Sequence, residues 1–147
     1  MRGSPHSAGQ TGGLLSRVLK SLLVEDNPEF RSFVKGLLLE RFPGLIVEEA
    51  PDAAEALRLV AAGTHDLFVI DIALAGHING LALIAEIRSR GRRSPILVMS
   101  SHSIPEYQPE AARLGADWFL SKVTCTREQI IAALERLALL GGRSAES

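Results

Sequence analysis

The sequence predicts an α/β fold: a single domain built on an open, doubly wound parallel sheet with helices on both faces. Three observations predict it. Short apolar runs alternate with amphipathic segments five times along the chain. Each amphipathic segment carries helical spacing, and most open on a capping or proline signal. At 147 residues the chain is long enough for one domain with a proper core. Five βα units in a row imply parallel strands with helices covering the sheet, and right-handed crossovers make the doubly wound arrangement the natural outcome.

Residues 18–24 read as the first buried strand. Asn27 follows as an N-cap with Pro28 at the first helical position. Phe30, Phe33, Val34, Leu37 and Leu38 then recur at helical spacing until Pro43-Gly44 stops the helix. Residues 45–50 are the second strand. Asp52 and Glu55 have capping-box spacing, and Ala53, Ala56, Leu57, Val60 and Ala61 form one helical stripe ended by Gly63. Residues 67–70 are strand three. Helix three spans 81–90, with Leu83, Ile84 and Ile87 inward. Residues 95–100 are strand four. A weak helix over 106–114 holds Pro109 in its first turn, because an interior proline removes a hydrogen bond and clashes. Residues 118–120 are strand five. Thr126 and Gln129 make a second capping box before a helix lined by Ile130, Ala133, Leu134, Leu137 and Ala138.

Composition excludes several classes. The hydrophobic share is 46%, the charged share 22% and the formal net charge −1, so bulk attraction to nucleic acid or anionic membrane is not expected. One cysteine, Cys125, rules out an internal disulfide framework and suits a reducing, cytoplasmic setting. No apolar run approaches the ~18 residues of a membrane span. Residues 1–16, polar and Gly/Ser-rich, read as a disordered leader or cloning remnant, 17–140 as the folded domain, and 141–147 as a flexible tail.

In such a sheet, ligands bind beyond the carboxyl ends of the strands. The polar residues there are Glu25 and Asp26 after strand one, Asp71 after strand three, Ser100 after strand four and Lys122 after strand five. Glu48 and Glu49 on strand two read as less central. Clustered carboxylates raise one another's pKa unless a cation neutralises them. Mg²⁺ suits a site of few carboxylates, waters and a phosphate oxygen. Lys122 adds a point charge, and Ser100 a hydroxyl donor. Together these groups would stabilise a phosphoryl group in transfer to Asp71.

These residues resemble the receiver domain of two-component response regulators over about residues 18–140. The resemblance is carried by Leu23-Val24-Glu25-Asp26-Asn27-Pro28, Asp71-Ile72-Ala73-Leu74, Gly80-Leu81, Val98-Met99-Ser100-Ser101 and Gly115-Ala116-Asp117-Trp118-Phe119-Leu120-Ser121-Lys122. It implies a flavodoxin-like (βα)5 sheet of strand order 2-1-3-4-5. It implies that Asp71 accepts phosphate from a histidine kinase or phosphotransfer protein. Glu25, Asp26, Asp71 and the backbone carbonyl of Ala73 would hold Mg²⁺. Lys122 would contact the phosphate, with Ser100 and Phe119 as switch residues. The face of helix four, strand five and helix five would carry the output, with a homodimer through that face one form of it. The chain would not be an enzyme beyond promoting its own phosphorylation and slow dephosphorylation. It looks most like receivers joined to helix-turn-helix output domains, with no such domain in this chain.

Four positions depart from the family pattern. Val123 follows Lys122 where proline is frequent, and a cis peptide without proline costs roughly 2.5–4 kcal/mol. The loop over 73–80 is one residue longer than the common pattern and lacks its proline. Ser101 stands where a small residue is usual, and His102 where phosphate lifetime is tuned. Taken singly, Asp71 would be a strand-end cap, Lys122 a solvated lysine, Ser100 a satisfied hydroxyl and Phe119 plain core. His65, His77 and His102 read as loop residues, Cys125 as structural, and Arg88, Arg90, Arg92 and Arg93 as a solvated helix end that complements the dipole. Three rival functions fit less well. They are a pseudo-receiver scaffold independent of phosphate, a metal-dependent phosphatase, and a flavin carrier. The phosphatase would need an acid where Ala73 stands, and the flavin carrier a phosphate-cradling loop after strand one.

Overall fold

The computed structural model describes residues 20–74, 79–101 and 104–146, with the backbone alone from 141 to 146. Five strands alternate with five helices: β1 (Lys20–Val24), α1 (Pro28–Arg41), β2 (Ile46–Ala50), α2 (Ala53–Ala62), β3 (Leu67–Asp71), α3 (Gly80–Ser89), β4 (Ile96–Ser100), α4 (Tyr107–Leu114), β5 (Trp118–Ser121) and α5 (Arg127–Glu146). All pairings are parallel, in the order β2-β1-β3-β4-β5. This is the doubly wound order the resemblance implied. The chain reverses direction across the sheet between β1 and β3, so the crevice of the fold lies beyond their carboxyl ends.

Alternate strand residues face opposite layers. Leu23, Val69, Leu97 and Met99 pack under α1 and α5 with Val34, Leu38, Leu134 and Leu137. Leu22, Val24, Phe68, Ile70, Ile96 and Val98 pack under α2, α3 and α4 with Val60, Ile84, Ile87 and Ala111. Every residue of β3 and β4 is buried. Asp71 and Ser100 are therefore polar groups inside two central, dry strands.

The helix starts follow local chemistry. The Asn27 side chain accepts from the N–H groups of Glu29 and Phe30, with Pro28 at the first position of α1. At α5 both arms of the capping box close: Thr126 N–H donates to Gln129 Oε1 at 2.8 Å, and Gln129 N–H to Thr126 Oγ1 at 3.1 Å. At α2 one arm closes, from Glu55 N–H to Asp52 at 2.8 Å, while the Glu55 carboxylate turns to Arg58. α4 starts with no side-chain cap and buries Ala111 alone.

Several sequence expectations are revised. Phe33 is 43% exposed, and the buried stripe of α1 narrows to Val34, Leu37 and Leu38. Those three already fill the arc that faces β1 and α5, so Phe33 lies on its flank. The α5 backbone continues through the Gly141-Gly142 pair to Glu146, since glycine weakens a helix by only about 1 kcal/mol. His65 is in a loop but buried, with Nε2 2.8 Å from Glu48 Oε1. Val18, His77 and His102 lie outside the described residues, as do residues 75–78 of the longer loop after Asp71. The Lys122–Val123 peptide is trans.

Arg88 is no solvated helix end. Its Nε and Nη2 donate to Gly115 O at 3.1 and 2.8 Å, Nη1 to Arg92 O and Ser94 O, and Nη2 to Asp117 Oδ2. Asp117 Oδ2 also accepts from Ile96 N–H at 2.9 Å. The planar fork thus ties the end of α3 to the turn between α4 and β5, at a glycine whose φ is +120°.

Ser21 lies fully buried in β1, and its hydroxyl has no hydrogen-bond partner among the described residues. A buried, unpaired hydroxyl costs about 1–3 kcal/mol. Ser21→Ala removes that cost and a single oxygen's worth of packing. The expected outcome is a gain of about 1 kcal/mol in urea unfolding with an unchanged m-value; a loss of stability would contradict it.

Candidate functional site

The parallel register brings the carboxyl ends of β1, β3, β4 and β5 to one edge. Val24 lies opposite Ile70, Asp71 opposite Met99, and Ser100 opposite Ser121. The residues at or just past those ends therefore share one crevice.

Glu25 continues the ladder beyond β1, its N–H donating to Ala50 O at 3.0 Å. Its carbonyl accepts from Arg31 Nη1 at 2.7 Å, and its Oε2 from Asn27 N–H at 3.0 Å. These bonds aim the carboxylate inward, where it is 2% exposed. Asp71 is 3% exposed. Its Oδ1 accepts from Ala73 N–H at 3.1 Å, which leaves Oδ2 toward Lys122. Asp26 stands at the exposed mouth. Glu25, Asp26 and Asp71 each offer a carboxylate oxygen, all within 4.8 Å of one another.

Lys122 enters from the loop after β5, where its N–H donates to Ser100 O at 2.8 Å. Its Nζ bridges the two buried acids, 2.6 Å from Glu25 Oε1 and 3.1 Å from Asp71 Oδ2. Ser100 ends β4, fully buried. It lies two residues after Val98, and Phe119 packs on the same layer, so strand alternation places both on the α2–α3–α4 face. Phe119 also lines a cavity of about 110 Å³ with Gln108, Ala111 and Ala112, between α4 and β5.

Burial pushes the Glu25 carboxyl above the ordinary glutamate range, and the nearby charge of Asp71 adds to the rise. The bonds from Lys122 and from Asn27 N–H oppose that rise without cancelling it. Three carboxylates face one ammonium, so the site holds an excess of negative charge. Its protein donors are hard oxygens, partly buried and partly open to water. That donor set fits a divalent ion such as Mg²⁺, which keeps several waters and takes few carboxylates. Glu25, Asp26 and Asp71 would hold it. Glu48 and Glu49 stand apart, Glu48 with His65 and Lys20, and Glu49 with Arg31 and Lys35.

Two contributors, Arg31 and Phe30, were not legible in advance, and a third, Gly80, was legible only as part of the family resemblance. Arg31 orients Glu25 through its carbonyl. Phe30 places its ring 4.6 Å from Lys122 Nζ, yet in the sequence it is one more apolar residue at helical spacing. Gly80 opens α3 against the Asp71 backbone, its N–H bonded to Ile72 O at 2.8 Å. A glycine at a helix start was the available signal for Gly80; for Phe30 there was none.

Comparison with known proteins agrees with this fold. The family model for the response regulator receiver domain matches residues 21–135. The two-component response regulator PhoP of Pseudomonas aeruginosa is 39% identical over 104 residues, covering 71% of this chain and 45% of that protein. The Regulator of RpoS of Escherichia coli is 35% identical over 117 residues, 77% of this chain and 34% of its own length. The chain thus spans half or less of each of these relatives. Among solved structures, the receiver domain of NtrX from Brucella abortus aligns with a TM-score of 0.72 at 32% identity, covering 81% of this chain and 97% of that one. A CheY-like receiver domain protein from Methanospirillum hungatei shares the fold, with a TM-score of 0.76 at 20% identity over 86% of this chain and 98% of its own. Matched by that family model over most of its length, the chain belongs to the response regulator receiver domain family of two-component signalling.

Proposed function

We propose that this receiver accepts a phosphoryl group on Asp71 from a histidine kinase or phosphotransfer protein. The observation that carries the proposal is the placement of Asp71. It is a buried carboxylate with one oxygen on a backbone N–H and the other on an ammonium, inside a three-acid cluster. An Asp71 oxygen attacks phosphorus, the bond from phosphorus to the donor's nitrogen or oxygen breaks, and the leaving group keeps the electron pair. A bound Mg²⁺ would supply charge neutralisation for the transferring group. Lys122, held at Asp71 Oδ2, is placed to meet the incoming oxygens, and the Ser100 hydroxyl to donate to one of them. The Ala73 carbonyl completes the proposed ion site.

Output in this reading is a population shift. Ser100 and Phe119 lie on one face of adjacent strands. A contact of Ser100 with phosphate draws Ser100 inward, Phe119 settles into the space vacated, and the α4–β5–α5 face is reshaped, with or without dimerisation through it. α4 suits this role: it is eight residues long, has no side-chain cap and buries one residue. Promotion of its own phosphorylation and slow loss of the phosphate belong to the same proposal.

Trp118 is the single tryptophan of the chain and lies on that face, its ring 5.4 Å from the Arg136 guanidinium carbon. The test is its fluorescence on addition of Mg²⁺ and beryllofluoride, an acyl-phosphate mimic. A change in the wild type that Asp71→Asn abolishes is expected. An unchanged spectrum in both would count against switching at this face.

A further inference from the structure

Phe30 and Phe33 sit on the first two turns of α1 with their rings 5.8 Å apart, and Phe33 is 43% exposed. Phe30 packs in part against the core layer under α1 and α5, but that packing does not account for the direction of its ring face or for Phe33. The Phe30 ring also faces the ammonium of Lys122, with Nζ 4.6 Å from its centroid. The same Nζ bonds Glu25 and Asp71 on its other sides, and the side chain is 12% exposed. The backbone of Phe30 is itself fixed, because its N–H donates to the Asn27 cap at 3.0 Å. We infer that Phe30 is a positioning residue for phosphoryl transfer, acting through Lys122. Its ring face holds the ammonium over Asp71 and keeps water from the side the carboxylates leave open.

The physical case rests on what a lysine lacks. A flexible four-carbon stem gives many positions for a point charge, unlike a planar guanidinium fork. Two carboxylates define a line for the ammonium, and a third contact is needed to fix it. A ring face attracts the cation without accepting a proton or binding a metal. It therefore remains Lys122's partner when a cation takes up Glu25 and a phosphoryl group joins Asp71. The half-exposed Phe33 packs its ring against that of Phe30 at 5.8 Å.

The inference rests on the phosphoacceptor reading, and two measurements keep them separable. The first needs no phosphate. In NMR spectra of the wild-type chain, the Lys122 ε-methylene protons should show an upfield ring-current shift that Phe30→Leu removes and Phe30→Tyr keeps. The second is the rate of Asp71 modification by acetyl phosphate with Mg²⁺. Phe30→Leu is expected to slow it about two- to fivefold, the scale of an exposed to half-buried cation–π contact, and Phe30→Tyr to restore it. In a Lys122→Gln background, Phe30→Leu should cost nothing further, since the ring would have no ammonium to hold. An equal loss in that background, or a wild-type Lys122 signal without the shift, overturns the inference. Absence of any Asp71-dependent modification in the wild type overturns the phosphoacceptor reading instead, and the ring-current shift alone then decides whether Phe30 positions Lys122.

Discussion

Gly80→Ala is expected to destabilise the protein by about 3 kcal/mol or more, the upper end of overpacking costs. A Cβ built at Gly80 falls 2.2 Å from Asp71 O, 2.5 Å from Ile72 Cα and 2.9 Å from Asp71 C. All three are backbone atoms, so no side chain can swing away to make room. β3 is buried along its length and paired on both edges, to β1 and β4, so the strand cannot retreat either. The strain must fall on the start of α3 or on the Asp71–Ile72 peptide that sets the direction of the carboxylate. Gly80→Ala should therefore lower both the urea midpoint and the response to phosphodonor. By contrast Gly36→Ala, on α1 with nothing within 4 Å of its Cβ, should stabilise slightly. A loss under 1 kcal/mol at Gly80 would mean that α3 is not pressed against the site as described.

The second large effect is at Lys122. Lys122→Ala leaves Glu25 and Asp71 buried without their shared cation. Removing one partner from a buried ion pair typically costs 3–5 kcal/mol, and that is the loss expected at pH 7 with divalent ions chelated. The pH dependence has a definite sign. Glu25 in the wild type already has its folded pKa raised. A raised acid binds more protons folded than unfolded, so its contribution is fully present below the unfolded pKa and is lost as pH rises through the folded one. Lys122 opposes that rise, so the alanine variant should raise the Glu25 pKa further. The deficit against wild type should then shrink as pH falls from 7 to 5. Addition of Mg²⁺ at pH 7 should shrink it too, by supplying the missing positive charge. Chemical denaturation at the two pH values, with and without Mg²⁺, reads all three. A deficit that is small at pH 7, or grows on acidification, would contradict the account.

The fold was legible because its determinants are local and periodic. Asn27-Pro28, Asp52 and Thr126 mark helix starts in the sequence, and all three accept the expected backbone N–H bonds. Leu83, Ile84 and Ile87 face inward as their spacing required. That the acids, serine and lysine of the candidate site meet at one sheet edge was legible for a different reason: polar residues at the ends of apolar strands stand out against what burial should allow. What was hidden depends on three-dimensional neighbours. Arg88 is one of four arginines near a helix end, and only the approach of Gly115 and Asp117 separates it from Arg90, which pairs with Glu86 on its own helix. His65 gave no sign of burial, because its partner Glu48 lies 17 positions away, on β2. Phe30 follows the helical period perfectly well and still faces a charge.

In the proposed chemistry Asp71 becomes a phosphoryl-aspartate when Mg²⁺ and a phosphodonor are present. Intact-mass spectrometry tests it most directly. After incubation with acetyl phosphate and Mg²⁺, the wild-type chain should gain the mass of one phosphoryl group. The gain should fall away with chelation and be absent in Asp71→Asn. Hydroxylamine, which cleaves acyl phosphates, should reverse it. An unmodified wild-type chain, or an equal gain in Asp71→Asn, would contradict the account.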